Sequence, residues 1–539
     1  MTTTLVALDW AVIALYFIIT FGVAIYATVR ERAAKQTSTE YFLAGRDAGW
    51  FLIGGSLFAS NIGSEHLVGL AGTGAASGVA VGQFEVLASL ILLLLGWLFV
   101  PFYLSSGVFT MPEFLERRYS PGARWYLAVI SIIGYVLTKI SVTIAAGGIV
   151  FEALMGIDFW TGALIVVVIT GVYTIFGGLR AVLYTDLMQM FVLILGAVVV
   201  TLIGVSSVGG WEALTQQVGP GFMSLWKPMS DPSFPWTGIL FGAPILGMWY
   251  WCTDQFIVQR VLAAKNQQEA RRGSIFAGFL KLLPLFIFVI PGLVAYVLSQ
   301  QGRLQLATPD QALPALVGTL LPAGLRGVVV AGLLAALMSS LSSVFNSTST
   351  LITIDVYKKL QPNTSERGLV LVGQVSTALL VGLGLLWIPL MKLVSGQLYQ
   401  YLQSVQAYIS PPITAVFLVG ILWHRVNAFG AMASLITGFV LGMGRLVAEL
   451  GKQGLSGPLR TYADINFLHF AILLFVVCCI VLVVASLLTA PPPAEKVAGL
   501  TFAKAPPGAV TRSAPGRGID MALSLLLVAA VAALWIYFS

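Results

Sequence analysis

Charged residues are scarce in this chain. Asp, Glu, Lys and Arg make up 9% of its 539 residues, whereas about 25% is usual for a soluble domain. Cysteine is scarce too: Cys252 and the adjacent Cys478 and Cys479 have no spacing that suits a disulfide framework or a zinc site. The HExxH, GxSxG and P-loop motifs are absent, so we expect no enzyme. These absences point to a membrane protein with a non-catalytic role.

Hydrophobic residues dominate the composition. They account for 58% of the chain, and the mean hydropathy is +0.92. Runs of about 20 apolar residues are long enough to cross a bilayer as helices. We therefore predict an all-α membrane protein, embedded in the lipid bilayer, with about 14 transmembrane helices. The candidate spans are 8–29, 50–72, 82–103, 122–152, 160–177, 181–206, 238–260, 274–300, 325–357, 368–390, 398–422, 427–450, 466–489 and 518–538.

The basic residues lie in alternate loops, so the net charge of +7 reports topology and not nucleic-acid binding. Because Lys and Arg mark cytoplasmic loops, we expect both termini on the extracellular or periplasmic side. Residues 490–517 are rich in Pro, Ala and Gly, which predicts a flexible cytoplasmic linker. The basic residues of the expected cytoplasmic loops are Arg30, Arg32, Lys35, Arg46, Arg117, Arg118, Arg124, Lys265, Arg271, Arg272, Lys358, Lys359, Arg367, Arg425, Lys496, Lys504, Arg512 and Arg517.

Two spans carry polar interruptions. Gly54–His66 (GGSLFASNIGSEH) combines glycines, serines, Asn61 and His66, which weaken the helix inside an apolar segment. A second interruption, Gly247–Gln255 (GMWYWCTDQ), lies five spans later, in the span 238–260. Broken helices at matching places in two halves mark the midplane sites of transporters. A polar kink buried for packing is the alternative interpretation of the first interruption.

This placement predicts a five-plus-five inverted repeat. The expected segments are 1–49 (first helix and cytoplasmic loop), 50–206 (first repeat), 207–237 (extracellular loop), 238–422 (second repeat), 423–489 (two additional helices), 490–517 (cytoplasmic linker) and 518–539 (last helix).

Polar and ionisable residues inside the spans are few, and such residues are usually functional. A cavity lined by some of them has donors and acceptors suited to hydroxyl groups, and nearby aromatic side chains suit a sugar ring. The polar candidates are Asn61, His66, Glu85, Lys281 and Gln403, and the aromatic candidates are Phe84, Tyr250, Trp251 and Tyr399. An internal Glu85–Lys281 ion pair without ligand contact is the alternative. For Lys139 and Asp254 we expect structural pairing.

The second polar patch is Ala336–Ser349 (ALMSSLSSVFNSTS), in a later span. Hydroxyls of Ser339 and Ser340, with the carbonyls of Ala59, Ile62 and Ala336, would form a cage of neutral oxygens. Such a cage suits a weakly held Na⁺, whereas Ca²⁺ sites usually recruit carboxylates. Close packing of helices through small residues is the alternative.

Several long words of the sequence resemble the sodium–glucose cotransporters of the solute:sodium symporter family. They are FASNIGSEHLVGLAGTGAASG, FTMPEFLERRY, TIFGGLRAVLYTDLMQ, MWYWCTDQFIVQR, FLKLLP, LMSSLSSVFNSTSTL and SGQLYQYLQSVQAYISPPITAVFL. The resemblance implies a leucine-transporter-like inverted-repeat fold, alternating access and Na⁺-driven uptake of a neutral sugar by a monomer. Absence of the long disulfide-bearing loops of animal relatives favours a bacterial inner membrane.

The same resemblance carries residue roles onto this chain. The sugar site would be formed by Asn61, His66, Phe84, Glu85, Tyr250, Trp251, Lys281, Tyr399 and Gln403, with Tyr250 as the inner gate. The Na⁺ site would be formed by Ala59, Ile62, Ala336, Ser339 and Ser340. Some members bind a second Na⁺, for which Asp186, Ser342 and Ser343 match the pattern.

Three positions depart from the family pattern, which leaves the preferred sugar open. Gly247 stands where similar glucose transporters carry a hydroxyl residue, and Thr143 and Gln400 stand where some carry carboxylates. A symporter for myo-inositol or another polyol, or a sugar-gated sensor or channel on the same fold, remains an alternative.

Overall fold

The computed structural model describes residues 5–32, 37–391, 398–502 and 516–539. Within these ranges the secondary structure is helical, and the only β-type pairing is two isolated bridges. An all-α chain is the expected result for segments that must satisfy their backbone hydrogen bonds internally in a bilayer.

The first part of the chain holds twelve helices up to Met223. They are α1 Ala7–Arg32, α2 Ser38–Leu43, α3 Trp50–Asn61, α4 Ser64–Ser77, α5 Gln83–Leu94, α6 Val100–Ser106, α7 Met111–Arg118, α8 Pro121–Tyr135, α9 Ser141–Val150, α10 Phe159–Ser207, α11 Trp211–Val218 and α12 Pro220–Met223.

The second part holds the remaining helices. They are α13 Ala243–Met248, α14 Gln255–Leu262, α15 Gln267–Leu280, α16 Ile290–Gln300, α17 Ala312–Leu320, α18 Leu325–Thr350, α19 Lys358–Leu360, α20 Glu366–Met391, α21 Leu398–Leu422, α22 Ala428–Leu450, α23 Gly457–Asp464, α24 Phe467–Leu487 and α25 Arg517–Tyr537. Turns of π-helix join or extend several of them, at Leu95–Phe99, Val136–Ile140, Phe151–Met155, Gly238–Gly242, Trp249–Thr253, Leu285–Val289 and Leu351–Tyr357.

Both predicted interruptions are present. The first lies between α3, which ends at Asn61, and α4, which begins at Ser64. The second lies between the π turn Trp249–Thr253 and α14, where Asp254 has extended backbone angles and its carboxylate accepts the Phe256 N–H as a helix cap. Both breaks leave the halves shorter than a bilayer-spanning helix.

The described residues contain 11 helices that are long and apolar enough to cross a membrane. The three remaining expected spans fall on the broken pairs α3–α4 and α13–α14 and on the shorter apolar helix Phe159–Gly171. The expected spans 160–177 and 181–206 are not separated by a loop, since α10 is helical throughout.

The first helix, α1, is tied to α18 by a buried carboxylate. Asp9 Oδ1 accepts the backbone N–H groups of Gly324 (2.7 Å) and Gly327 (2.9 Å) at the start of α18. These amides have no partner within their own helix. Asp9 therefore serves as the N-terminal cap of α18, the helix that carries the serine-rich patch.

The loop before α17 is tied to the start of α21 by Asp310. Its Oδ2 accepts the Leu398 N–H at 3.1 Å, while Oδ1 is buried without a hydrogen-bond partner. Burial raises the pKa of Asp310 to about 6, with the Leu398 amide opposing the shift. Because this pKa lies above the unfolded value of about 3.9, the protonated carboxyl favours the folded form. That contribution is fully present below about pH 4 and is lost as the pH rises through about 6.

The end of the chain packs against the helical bundle. Asp520 of α25 pairs with Arg271 and Arg272 of α15, and Ser524 accepts the indole N–H of Trp97. Within the expected linker, Leu500 and Thr501 are buried. Residues 503–515 of that linker lie outside the described residues.

Candidate functional site

A polar cavity lies between the two broken helices. Its volume is about 50 Å³, far below the roughly 300–1,000 Å³ of typical ligand sites, so the site is contracted. Every residue that sequence analysis assigned to the sugar site lines it: Asn61, His66, Phe84, Glu85, Tyr250, Trp251, Lys281, Tyr399 and Gln403. Residues from both halves of the chain therefore meet at one place, although the expected repeat boundaries themselves stay a prediction.

A chain of hydrogen bonds crosses the cavity. Lys281 directly follows the last residue of α15. Its ammonium pairs with Glu85 of α5 and donates to Asn61 Oδ1 at 2.5 Å. Asn61 Nδ2 in turn donates to the Tyr250 hydroxyl at 3.0 Å. The Lys281 and Glu85 side chains are 1% and 3% exposed, and burial at this depth requires such pairing.

This hydrogen-bond network combines the two alternatives expected from the sequence, an internal ion pair and a ligand site. Lys281 and Glu85 do form an internal ion pair, and the same pair lines the cavity. The pair brings three ammonium donors and the carboxylate lone pairs into one small space without net charge. Such a site can exchange hydrogen bonds with the hydroxyl groups of a neutral molecule.

Aromatic side chains cover one end of the cavity. Tyr399 of α21 packs edge-to-face against His66 (ring centroids 5.6 Å apart) and against Phe84 (6.0 Å). The Tyr399 hydroxyl lies 3.5 Å from Glu85 Oε1, and His66 Nε2 lies 3.8 Å from the same oxygen. The rings thus present apolar edges, while their polar atoms point at the Glu85 carboxylate.

A second buried ion pair supports the opposite wall. Lys139 pairs with Asp254 at the break before α14, as expected from the sequence, and the Tyr135 hydroxyl bonds to the same carboxylate. The ammonium also lies 4.5 Å from the centroid of the Tyr250 ring and 3.9 Å from that of Phe256. This cation–π contact holds Tyr250 against the wall of the cavity.

The break between α3 and α4 frees two backbone carbonyls. In a continuous helix the N–H groups of Gly63 and His66 would bond to the carbonyls of Ala59 and Ile62. Here Gly63 N–H bonds to the Asn61 carbonyl, and His66 N–H bonds to that of Gly63. Both carbonyls predicted to hold Na⁺ have thus lost the donors that a continuous helix would give them.

The serine-rich helix α18 meets this break. The Ser340 hydroxyl donates to the Ser60 carbonyl at 3.1 Å, and the Ser339 hydroxyl donates to Asp186. Each hydroxyl keeps its oxygen lone pairs for a cation. Ala336, one turn earlier on α18, is buried like the serines. The contacts bring both halves of the predicted cage together, and neutral oxygen donors fit a weakly held Na⁺.

Asp186 of α10 lies beside the same helix and is fully buried. Its carboxylate accepts hydrogen bonds from the hydroxyls of Ser56 (2.6 Å), Ser60 (2.9 Å) and Ser339. Ser343 reaches it through Ser60, with 3.1 Å between the hydroxyl oxygens. The Ser342 hydroxyl instead donates to the Ser339 carbonyl at 3.0 Å. Of the predicted second-site residues, Asp186 and Ser343 are therefore linked through Ser60 of α3, whereas the Ser342 hydroxyl bonds within α18.

Sequence analysis missed three contributors to this cluster. Ser56 and Ser60 are four residues apart, so they share one face of α3, and that spacing was a readable signal. Arg260 of α14 donates from Nε to the Ser60 hydroxyl at 3.0 Å and is completely buried. A basic residue within an interrupted span was a second readable signal.

The cavity wall also contains Gln406 and Gly247, which were not assigned to the sugar site. A Cβ at Gly247 would come within 2.2 Å of Cδ1 of Ile91. The obstruction is the end of a flexible side chain, so a larger residue needs only a rotation of Ile91. The glycine therefore lets the Ile91 side chain lie where similar transporters were expected to carry a hydroxyl residue.

Comparisons with known proteins agree with this arrangement. A model of the sodium:solute symporter family matches residues 41–438. Sodium/glucose cotransporter 1 of Oryctolagus cuniculus is 41% identical over 514 residues, which cover 87% of this chain and 77% of that protein. Sodium/glucose cotransporter 4 of Danio rerio is 41% identical over 511 residues, with coverage of 87% and 77%.

Solved structures show the same fold at low sequence identity. The substrate-bound, outward-open state of a Na⁺-coupled sialic acid symporter superposes with a TM-score of 0.74 and 23% identity, over 90% of this chain and 98% of the other. Mhp1, a nucleobase-cation-symport-1 family transporter in a closed conformation, gives 0.54 and 15%, over 86% and 98%. The likeness confirms the leucine-transporter-like helical fold of a multi-pass membrane protein.

Proposed function

The chain belongs to the sodium:solute symporter family, and from that premise we propose that it is a Na⁺-coupled symporter of a neutral sugar of the glucose or galactose type. One observation carries the choice of ligand. Lys281, Glu85 and Asn61 supply donors and acceptors while their charges cancel. This chemistry suits a polyhydroxyl molecule, and the relatives named sodium/glucose cotransporters support it.

Sugar binding is an exchange of hydrogen bonds. The hydroxyl groups of the sugar replace the contacts that Lys281 makes with Glu85 and Asn61, and the cavity widens as those side chains separate. Tyr399 covers the ring on one side and Trp251 on the other. Because Asn61 also donates to Tyr250, a sugar bonded to Asn61 changes the support of the proposed inner gate.

Sodium acts at the break. The freed carbonyls of Ala59 and Ile62, with Ala336 and the hydroxyls of Ser339 and Ser340, hold Na⁺ between α3 and α18. This fixes the end of α3, where Asn61 lies, and so prepares the sugar site. Coupling is reciprocal: if Na⁺ tightens sugar binding by some factor, the sugar tightens Na⁺ binding by the same factor.

The number of Na⁺ ions decides how steep a sugar gradient can be maintained. One charge crossing ~100 mV supplies about 2.3 kcal/mol, which corresponds to roughly fifty-fold accumulation. Two charges supply about 4.6 kcal/mol, or more than a thousandfold. The accumulation ratio at a known voltage therefore measures the stoichiometry.

The wider setting belongs to the same proposal. The inverted repeats comprise 50–206 and 238–422, the basic loops face the cytoplasm, both termini lie outside, and the monomer works in a bacterial inner membrane. Of this setting, the membrane location is supported by the multi-pass fold, and the use of Na⁺ is supported by the family.

The test is uptake of radiolabelled glucose and galactose into proteoliposomes under imposed Na⁺ or K⁺ gradients. We expect uptake only with Na⁺. Ser340→Ala should raise the Na⁺ concentration needed for half-maximal uptake, and Gln403→Ala should raise that for sugar. Ser349→Ala is the matched control, because its hydroxyl bonds to Gly373 at 2.9 Å, away from the cage. Equal uptake with K⁺, or an unchanged Na⁺ requirement in Ser340→Ala, would refute the proposal.

A further inference from the structure

Arg260 is a permanent positive charge beside the proposed second Na⁺ site. Its side chain is completely buried in α14, and a guanidinium does not lose its proton in proteins. Nε donates to the Ser60 hydroxyl at 3.0 Å, Nη1 donates to the Phe256 carbonyl, and Nη2 is buried without a hydrogen-bond partner. A buried charge of this kind needs a compensating charge.

Asp186 supplies that compensation. Ser60 bonds to both groups, since its hydroxyl donates to Asp186 at 2.9 Å while it accepts from Arg260. The carboxylate and the guanidinium interact electrostatically. The cluster of one aspartate, one arginine and neutral serines therefore carries no net charge before any ion binds.

We propose that Arg260 is a tethered cation that competes with a second Na⁺ for Asp186. The inference rests on the proposed function and goes beyond it by naming what sets the number of coupling ions. With the guanidinium beside Ser60, a Na⁺ bound by Asp186 and Ser343 would be a second positive charge opposite a single carboxylate. Repulsion between the two cations weakens Na⁺ binding there, and one Na⁺ accompanies each sugar.

The competition is connected to the transport cycle through α14. That helix begins directly after the break at Asp254, and Tyr250 lies in the π turn before the break. Ser60 also connects Arg260 and Asp186 to the first Na⁺ site, because its carbonyl accepts the Ser340 hydroxyl. A shift of α14 that withdraws Arg260 would expose Asp186 to a second ion.

The experiment counts bound ²²Na⁺ per molecule at equilibrium in the purified full-length chain. We expect one bound ion in the wild type, at the site formed by the α3 break and α18. In Arg260→Gln we expect a second, with an affinity raised by about tenfold or more, the size of effect that a nearby charge has on ionic equilibria. Arg260→Lys keeps the charge and should bind as the wild type does. Arg260→Gln combined with Asp186→Asn should return the count to one.

A thermal melt in NaCl and in KCl gives a second readout. Arg260→Gln should depend on Na⁺ for its stability, because Na⁺ now neutralises Asp186. Unchanged ²²Na⁺ binding in Arg260→Gln, or a gain in Arg260→Lys as well, would overturn the proposal. So would a wild type that binds two ions equally, or an Arg260→Gln variant that is unfolded in both salts. These measurements need no sugar, so a wild type that fails to take up sugar would refute the proposed function separately.

Discussion

Breaking the Glu85–Lys281 pair tests the centre of the site. Lys281→Met leaves the Glu85 carboxylate in a cavity where its side chain is 3% exposed. Removing one partner of a buried ion pair costs about 3–5 kcal/mol, because the remaining charge is uncompensated. At ~1.4 kcal/mol per decade, the folding equilibrium should fall by roughly a hundredfold to a few thousandfold. Glu85→Gln should lower the stability by a similar amount, because it leaves the buried Lys281 ammonium without its carboxylate partner.

Replacing both residues should recover most of that loss. Glu85→Gln combined with Lys281→Met removes both charges, and loss of a whole buried pair is often close to neutral. Sugar uptake should nevertheless be lost in all three variants, because each lacks part of the proposed binding chemistry. The double variant thus separates stability from transport.

Unfolding in a detergent-to-SDS titration, followed by circular dichroism, measures these differences. Asp464→Asn is the matched control, since it breaks the Arg460–Asp464 pair, whose side chains are 43% and 46% exposed, and it should change the midpoint little. If the double variant is destabilised by the sum of the two single losses, the residues act independently and the reasoning fails.

Three further predictions concern other parts of the fold. Asp310→Asn should keep the hydrogen bond from the Leu398 N–H and raise the melting temperature at pH 7.5. The wild type should lose stability between about pH 4 and 7, and the variant should not. A variant whose melting temperature falls over this range as the wild type's does would contradict the assigned pKa. Asp9→Ala should cost about 0.5–2 kcal/mol by uncapping α18 at Gly324, whereas Asp9→Asn should cost less in the same melts. Gly247→Ser should alter the ratio of glucose to galactose uptake by several-fold, and equal ratios would exclude this position from selectivity.

The polar residues that line the cavity could be predicted from the sequence, because polar side chains inside a membrane are energetically costly. Asn61, His66, Glu85 and Lys281 stand out in apolar runs, and each lines the cavity. The two breaks were likewise readable from glycine and polar residues within spans. Local chemistry was enough in these cases, because few other roles are open to such residues at that depth.

Other features depend on contacts between distant parts of the chain and were not predictable. Arg260 and Ser60 are 200 residues apart, and nothing in either segment indicates the partner. The capping of α18 by Asp9 joins residues more than 300 apart. The continuity of α10 was not predicted either, since two separate spans, 160–177 and 181–206, were expected there. The contraction of the cavity depends on side-chain rotamers, which the sequence pattern does not specify.

The polar groups of the cavity already bond to one another, and this limits how tightly the cavity can bind a substrate. When a sugar arrives, each bond it makes with Lys281, Glu85 or Asn61 replaces one that already exists. The net gain per contact is then small, which favours rapid release over long residence and suits a carrier. A tight inhibitor would have to draw its affinity from aromatic surface such as Tyr399 and Phe84, outside this polar exchange.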